Sequence, residues 1–354
     1  MAKIDNFLTE MLDKGGSDLH LSINQPPKIR VSGDITPLNQ IPISADEMEK
    51  LLHSICLESR WLKFLKSHDL DFAYEIPGRA RFRCNLLYNH HGIAAVFRQI
   101  PSKIATLEEL KLPKVLIDIC NYKTGFVLVT GPTGSGKSTT LASMIDYINR
   151  NQQKHIITVE DPIEFVHQNK KSTIVHREVG IHSKSFPQAL RGAMRSDPDI
   201  VLIGEMRDLE TIRLGLTCAT MGMLVFGTLH TNNAPKTIDR IIDAFPADEQ
   251  AQIRTMLAEC LRGVVSQLLC RKVNGGRVAC HEILLWADGL PSVIREGQIS
   301  NIRTIIEANK NIGMCSMDGN LKELYDKRDI SLDEAYMKAI DKSQFVELME
   351  KAET

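Results

Sequence analysis

The stretch from residue 126 to residue 148 narrows the possible folds more than any other. Phe126-Val127-Leu128-Val129 is an unbroken apolar run, followed one residue later by Gly131-Pro132-Thr133-Gly134-Ser135-Gly136-Lys137-Ser138. Leu141, Met144, Ile145 and Ile148 then recur at helical spacing. The eight residues fit G-x-x-x-x-G-K-[ST] at every fixed position, and the strand before and helix after supply the context that pattern needs. Its glycines let backbone N–H groups turn toward phosphate oxygens, and the helix N-terminus favours an anion there. Gly131, Thr133, Gly134, Ser135 and Gly136 are therefore expected to wrap a polyphosphate, with Thr139 in the first helical turn beside them. Lys137 is expected to reach the β- and γ-phosphates, and Ser138 to ligate Mg²⁺, which prefers oxygen donors. ATP and Mg²⁺ are the cofactors implied. A glycine-rich turn without ligand is disfavoured because strand, loop and helix are all in place.

Three further apolar runs follow: Ile156-Ile157-Thr158-Val159, Ile200-Val201-Leu202-Ile203 and Leu224-Val225-Phe226. Continuous runs alternating with helical segments indicate parallel strands covered on both faces. The fold class expected is α/β, with a RecA-like P-loop core over residues 116–289. Residues 1–100 read differently, as a small α+β domain with one N-terminal helix ended by Gly15-Gly16 and with alternating strands. Those strands include Asp18 to Leu21, Lys28 to Val31, Ala80 to Asn85 and Ala94 to Arg98. Residues 101–115 form a short inter-domain connection, and 290–354 a helical C-terminal region. Ile253, Leu257, Cys260, Leu261, Val264 and Leu268 are spaced as one stripe of a long helix, and Asn274-Gly275-Gly276 as a hairpin turn.

Carboxylates at strand ends suggest hydrolysis. The run through Ile203-Gly204 ends in Glu205, and in P-loop proteins the strand carrying this acid is expected beside the loop's own strand, its acid facing Mg²⁺ and its waters. Glu160-Asp161-Pro162-Ile163-Glu164 ends another run. Three acids so close repel one another unless a cation is near. Glu164, ionised at an ordinary carboxylate pKa, is a candidate to orient or deprotonate water. An acidic turn is the competing reading. His230 closes the last run, at the strand end where doubly wound folds place ligands. A γ-phosphate sensor and a structural histidine are equally consistent with it.

Composition removes other classes. Lys plus Arg total 43 against 44 Asp plus Glu, so nothing suggests a nucleic-acid partner, which needs a basic surface. Eight cysteines are scattered with no C-x-x-C pair, pointing to reduced thiols rather than a zinc or redox site. No apolar run approaches a membrane span, and the N-terminus begins an amphipathic pattern rather than a signal peptide. A cytoplasmic chain is expected, recruited to a membrane by a partner and not inserted directly.

Met194-Arg195-Ser196-Asp197-Pro198-Asp199-Ile200-Val201-Leu202-Ile203-Gly204-Glu205-Met206-Arg207-Asp208 resembles the signature of the type II/IV secretion ATPase superfamily. Residues 157–164 look like its aspartate box and 224–231 like its histidine box. Within it, Gly16-Ser17-Asp18-Leu19-His20-Leu21 and Ile294-Arg295-Glu296-Gly297 make the chain most similar to the type IV pilus retraction ATPases, the PilT family. The resemblance implies a homohexamer whose subunits pair a PAS-like N-terminal domain with the RecA-like domain, working on an inner-membrane pilus platform protein, with a second retraction ATPase as a further partner. The implied location is cytoplasmic and peripheral at the inner membrane. The resemblance also assigns Glu164 as catalytic base, Glu205 as the metal-side acid, and Arg81, Arg83 and Arg98 as arginines that reach toward nucleotide. Their competing reading is exposed, alternating strand positions.

Two places depart from the family pattern: Met223 stands where the histidine box usually begins with His, and Gly289-Leu290-Pro291-Ser292-Val293 replaces the usual start of the tail motif. Alternatives kept open are a pilus-assembly or type II secretion ATPase, a RecA-like nucleic-acid translocase, and a catalytically dead regulator. The assembly and secretion enzymes usually carry paired C-x-x-C motifs, which this chain lacks.

Overall fold

The computed structural model describes residues 2–31, 33–100 and 103–353. Residues 101 and 102, which begin the expected 101–115 connection, lie outside them. The chain divides into two compact units: Met1–Lys103 with Asp161–Val166, and Ile104–Glu160 with His167–Thr354.

In the N-terminal unit α1 (Lys3–Asp13) precedes three short strands, β1 (Asp18–Ser22), β2 (Lys28–Val31) and β3 (Asp34–Pro37). Two helices follow, α2 (Ala45–His53) and α3 (Glu58–Ser67), then β4 (Asp69–Ile76), β5 (Ala80–Asn89) and β6 (Gly92–Ile100). The sequence reading gave this unit one helix, and α2 and α3 correct it. Ser44 opens α2 by accepting the Glu47 N–H, and α2 and α3 bury Met48, Leu51, Leu52, Trp61 and Phe64. The sheet is antiparallel, in the order β3-β2-β1-β6-β5-β4. Its register lines up Leu19, Phe97, Cys84 and Phe72 across four strands, all at most 1% exposed. Burial of each such large side chain contributes about 1.5–3 kcal/mol. One residue away along the strands, Asp18, Arg98 and Arg83 line up on the opposite face, because side chains alternate with a period of two.

The second unit contains α4 (Val115–Cys120), β7 (Gly125–Thr130), α5 (Lys137–Asn151), β8 (His155–Glu160), β9 (Thr173–Glu178), α6 (Phe186–Ala193) and β10 (Ile200–Ile203). It continues with α7 (Leu209–Thr220), β11 (Leu224–Leu229), α8 (Ala234–Asp243), α9 (Gln250–Cys260), β12 (Leu261–Arg271) and β13 (Arg277–Leu285). The strand order is β13-β12-β7-β11-β10-β8-β9, parallel except for the β12–β13 hairpin. Strands β7, β10 and β11 are buried at every position, as runs covered on both faces must be. This is the α/β, RecA-like core expected.

Two expectations fail here. The stripe from Ile253 to Leu268 is not one helix: α9 stops at Cys260 and the chain continues as β12. Both faces of β12 are covered around residues 263–267, so it shows no period-two alternation, and its apolar residues fell at helical spacing by coincidence. Pairing with β7 and β13 decides the matter over local pattern. Nor does β10 lie beside β7, since β11 runs between them.

The C-terminal region is helical, with α10 (Leu290–Arg295), α11 (Ile302–Ala308), α12 (Met317–Asp326), α13 (Leu332–Lys338) and α14 (Ser343–Glu353). Met317, Leu321, Leu324, Ala335 and Phe345 pack with Cys270 and Cys280 of the hairpin. Among the described residues all eight cysteines are free, and no group of His, Cys, Asp and Glu is arranged to hold a metal by itself. Among the described residues no helix is long and apolar enough to cross a membrane.

Candidate active site

The loop after β7 is built around backbone that only glycine tolerates. Gly131 sits at φ 145°, and a Cβ there would lie 2.1 Å from the Gln267 carbonyl oxygen of β12. Gly136 occupies the N-cap of α5 at φ 89°, with no side chain capping the helix. The first turn of α5 holds Lys137, Ser138 and Thr139. Lys137 is nearly buried, and its Nζ donates to the carbonyls of Gly131 (2.8 Å) and Pro132 (3.1 Å), folding its charge over the loop. Ser135 Oγ is buried with no hydrogen-bond partner among the described residues. Thr133 and Gly134 are exposed, and the space beside Gly134 is open for 4 Å. An uncapped helix N-terminus, an orphaned hydroxyl and an enclosed ammonium in one loop fit a polyphosphate.

Two strands across from β7, β10 delivers Glu205. The Gly204 N–H donates to the Val159 carbonyl (2.8 Å) and the Met206 N–H to the Thr228 carbonyl (3.1 Å), so Glu205 leaves the sheet between two fixed backbone bonds. Thr228 Oγ1 donates to the Gly204 carbonyl from β11. The carboxylate accepts from Arg207 Nη2 at 2.7 Å and from His230 Nε2 at 2.9 Å. Partial burial pushes its pKa up, but Arg207 and His230 outweigh that and hold it below the usual carboxylate value. Glu205 is thus ionised and oriented at neutral pH. The insertion of β11 puts His230, at its end, within reach of Glu205. Arg207 was quoted in the sequence motif without a role; its position two residues past a strand-terminal acid was the available signal.

The other assigned residues belong to the N-terminal unit. Arg81 lies 3.4 Å from Glu75. Arg98 Nε donates to Asp18 Oδ1 at 2.8 Å. Arg83 Nε donates to Asp71 Oδ2 at 3.0 Å, and its Nη1 lies 3.6 Å from Glu164 Oε1. Glu164 falls in the 161–166 segment that groups with this unit. The crowding of acids at 160–164 is therefore met in part by protein groups: Arg83 near Glu164, and His176 Nδ1 3.9 Å from Glu160 Oε1. The structure brings the phosphate loop, Glu205 and His230 together at the C-terminal ends of β7, β10 and β11, the ligand side of a doubly wound sheet. Arg83, Arg98 and Glu164 gather in the other unit.

Several known proteins are similar to this chain over most of its length. The family described as type II/IV secretion system protein matches residues 1–311. The type IV pilus retraction ATPase PilT of Pseudomonas aeruginosa is 48% identical over 336 residues, covering 94% of this chain and 98% of that protein. A twitching motility protein of Neisseria gonorrhoeae is 50% identical over 299 residues, covering 84% of this chain and 80% of that protein. The crystal structure of the pilus retraction motor PilT with bound ADP superimposes with a TM-score of 0.89 at 41% identity, covering 97% of this chain and 99% of that one. The chain belongs to the type II/IV secretion ATPases and, within them, to the PilT family of type IV pilus retraction ATPases.

Proposed function

We propose that this ATPase works as a homohexameric ring that retracts type IV pili, acting on a platform protein from the cytoplasmic side of the inner membrane and sharing the task with a second retraction ATPase. The observation that carries the reading is the end-to-end match to a pilus retraction ATPase, 94% of one chain on 98% of the other. The residues support the chemistry. Lys137 and the N–H groups from Gly134 to Thr139 bind the phosphates of ATP. Ser138 Oγ and Glu205, partly through water, are the oxygen donors we assign to Mg²⁺, which when bound neutralises charge on the phosphate oxygens. Glu164 orients the attacking water and accepts its proton as the bond from the γ-phosphorus to the bridging oxygen breaks and ADP leaves. His230, hydrogen-bonded to Glu205, registers the loss of the γ-phosphate. Arg81, Arg83 and Arg98 offset the charge that develops on the transferring phosphoryl group.

Phosphate release by wild type and Glu205→Ala tests the enzyme assignment, with a loss of about 10²-fold or more expected and equal rates removing it. Deleting the gene tests the direction of work. Excess surface pili with lost twitching fit retraction, whereas a failure to extend pili would favour the assembly reading.

A further inference from the structure

Behind the phosphate loop stands a side chain that none of these roles uses. Gln267 lies within β12 and is 2% exposed. Its Nε2 donates to the Ser135 carbonyl at 2.7 Å. Its Oε1 accepts from Thr140 Oγ1 at 2.7 Å and lies 3.1 Å from His281 Nε2. The carbonyl of Ser135 can only accept, so the amide NH₂ must face it, and the amide oxygen must face Thr140 and His281. One planar group therefore holds the middle of the loop and the first turn of α5. Glutamate would lose the donor, leucine both functions, and asparagine the reach.

His281 carries the connection outward. It is buried, and burial pushes its pKa down to about 4, so it stays neutral with its single N–H on Nε2. Its backbone N–H donates to Asn320 Oδ1 of α12 at 2.9 Å. The next residue, Glu282, accepts the Ala234 N–H at the start of α8 (2.7 Å) and lies 3.5 Å from the Met317 N–H at the start of α12.

We infer that Gln267 is a positioning residue for the phosphate loop, and that His281 and Asn320 tie the geometry of that loop to α12 in the C-terminal helical region. The inference rests on the loop's nucleotide-binding reading, and the test separates the two. Full-length wild type, Gln267→Leu, Gln267→Glu and Asn320→Ala are compared by titration with fluorescent ADP, by steady-state ATPase kinetics, and by hydrogen exchange of the amides at 134–137 without nucleotide. Gln267→Leu is expected to weaken ADP binding about tenfold, to raise KM more than it lowers kcat, and to speed exchange in the loop, since a buried donor and acceptor are both lost. Gln267→Glu is expected to recover toward wild type as pH falls and its buried carboxyl regains a proton to donate to Ser135. A purely structural role would not give that profile. Asn320→Ala should speed loop exchange about threefold.

If Gln267→Leu does not fold, the pH profile of Gln267→Glu decides. Binding within twofold of wild type with unchanged loop exchange, or a pH-independent Gln267→Glu, overturns the positioning role. Unchanged loop exchange in Asn320→Ala overturns the link to α12. A wild type that does not bind ADP would remove the nucleotide reading, while the exchange comparison would still decide what Gln267 does to the loop.

Discussion

The two sheets present their polar side chains in opposite ways. In the seven-stranded sheet, β7, β10 and β11 are buried along their whole length, and the groups to which we assign the chemistry sit just past their C-terminal ends: the Lys137 loop, Glu205 and His230. In the six-stranded sheet the charges lie along the strands, on one face, with Asp18 opposite Arg98 and Arg98 opposite Arg83. A parallel sheet covered on both faces has room for polar groups only at its ends, whereas an antiparallel sheet with one solvated face can carry them mid-strand. The difference lies in what each site is fastened to. Gly131 at the end of β7 and Glu205 at the end of β10 are placed by backbone conformation and backbone hydrogen bonds. Groups on the antiparallel face rest on side-chain pairs, which can be exchanged at little cost to the fold.

The sharpest test of that contrast is Arg83→Ala. Its partners include Asp71 and Glu164, and it is 41% exposed, so stability should change by less than about 1 kcal/mol. As a group that offsets transition-state charge it should cost about 10³-fold in ATPase rate. A rate within threefold of wild type would return the arginines to ordinary sheet-face ion pairs. Next in size is Gly131→Ala, measured by denaturant unfolding. Its Cβ would meet the Gln267 carbonyl, and its φ of 145° disfavours any side chain, so a loss of about 3 kcal/mol or more is expected. Gly134→Ala shares only the backbone strain, at φ 78° with open space around it, and should lose about 1–2 kcal/mol. Equal losses would mean that β12 does not buttress the loop.

Local patterns gave the parts of this molecule that are locally determined. The apolar runs became β7, β8, β10 and β11, and the glycine-rich loop fell between β7 and α5. What stayed hidden depended on distant partners. No local feature tells that β11 enters between β7 and β10, because that follows from pairing across the sheet. For β12, burial on both faces removed the alternation that marks a strand, and this concealed Gln267, which a helical reading placed on no particular surface. By contrast, α2 has a legible start: Ser44 followed three residues later by Glu47 is the start signal of a helix, and Met48, Leu51 and Leu52 give the spacing. The grouping of 161–166, and with it Glu164, with the N-terminal unit has no counterpart in composition or periodicity.

Acid should weaken the RecA-like unit. His167 and His281, both in the RecA-like unit, are pushed down to about 4 chiefly by burial, against an unfolded value near 6.5. Below that value the unfolded chain binds protons that the folded chain refuses, so stability falls as pH drops from about 6.5 toward 4. Between pH 7 and 5 each histidine should cost on the order of 1–2 kcal/mol, read as a falling guanidinium midpoint at constant slope. Among the described residues His167 Nδ1 is buried without a partner, so His167→Leu should remove roughly half of this acid sensitivity. An unchanged pH dependence would mean that the two imidazoles take up protons in the folded state.

The smallest effect belongs to the antiparallel face. Burial pushes the Asp18 carboxyl up, but the Ser17 hydroxyl (2.7 Å) and the Arg98 guanidinium (2.8 Å) outweigh it and hold the pKa below 3.8. A depressed carboxyl contributes stability above its unfolded pKa and loses it as pH falls through the folded value. Asp18→Asn should therefore destabilise at pH 7, and the difference should shrink as pH falls through the folded carboxyl's pKa. Arg98 is 70% exposed but the Asp18 side chain only 6%, so water screens the pair from the arginine side alone and the loss at pH 7 should be about 1 kcal/mol. A loss above about 2 kcal/mol would show Asp18 and Arg98 behaving as a buried pair. The antiparallel face would then be fastened as firmly as the ends of the parallel strands, and the contrast between the two sheets would lose its physical basis.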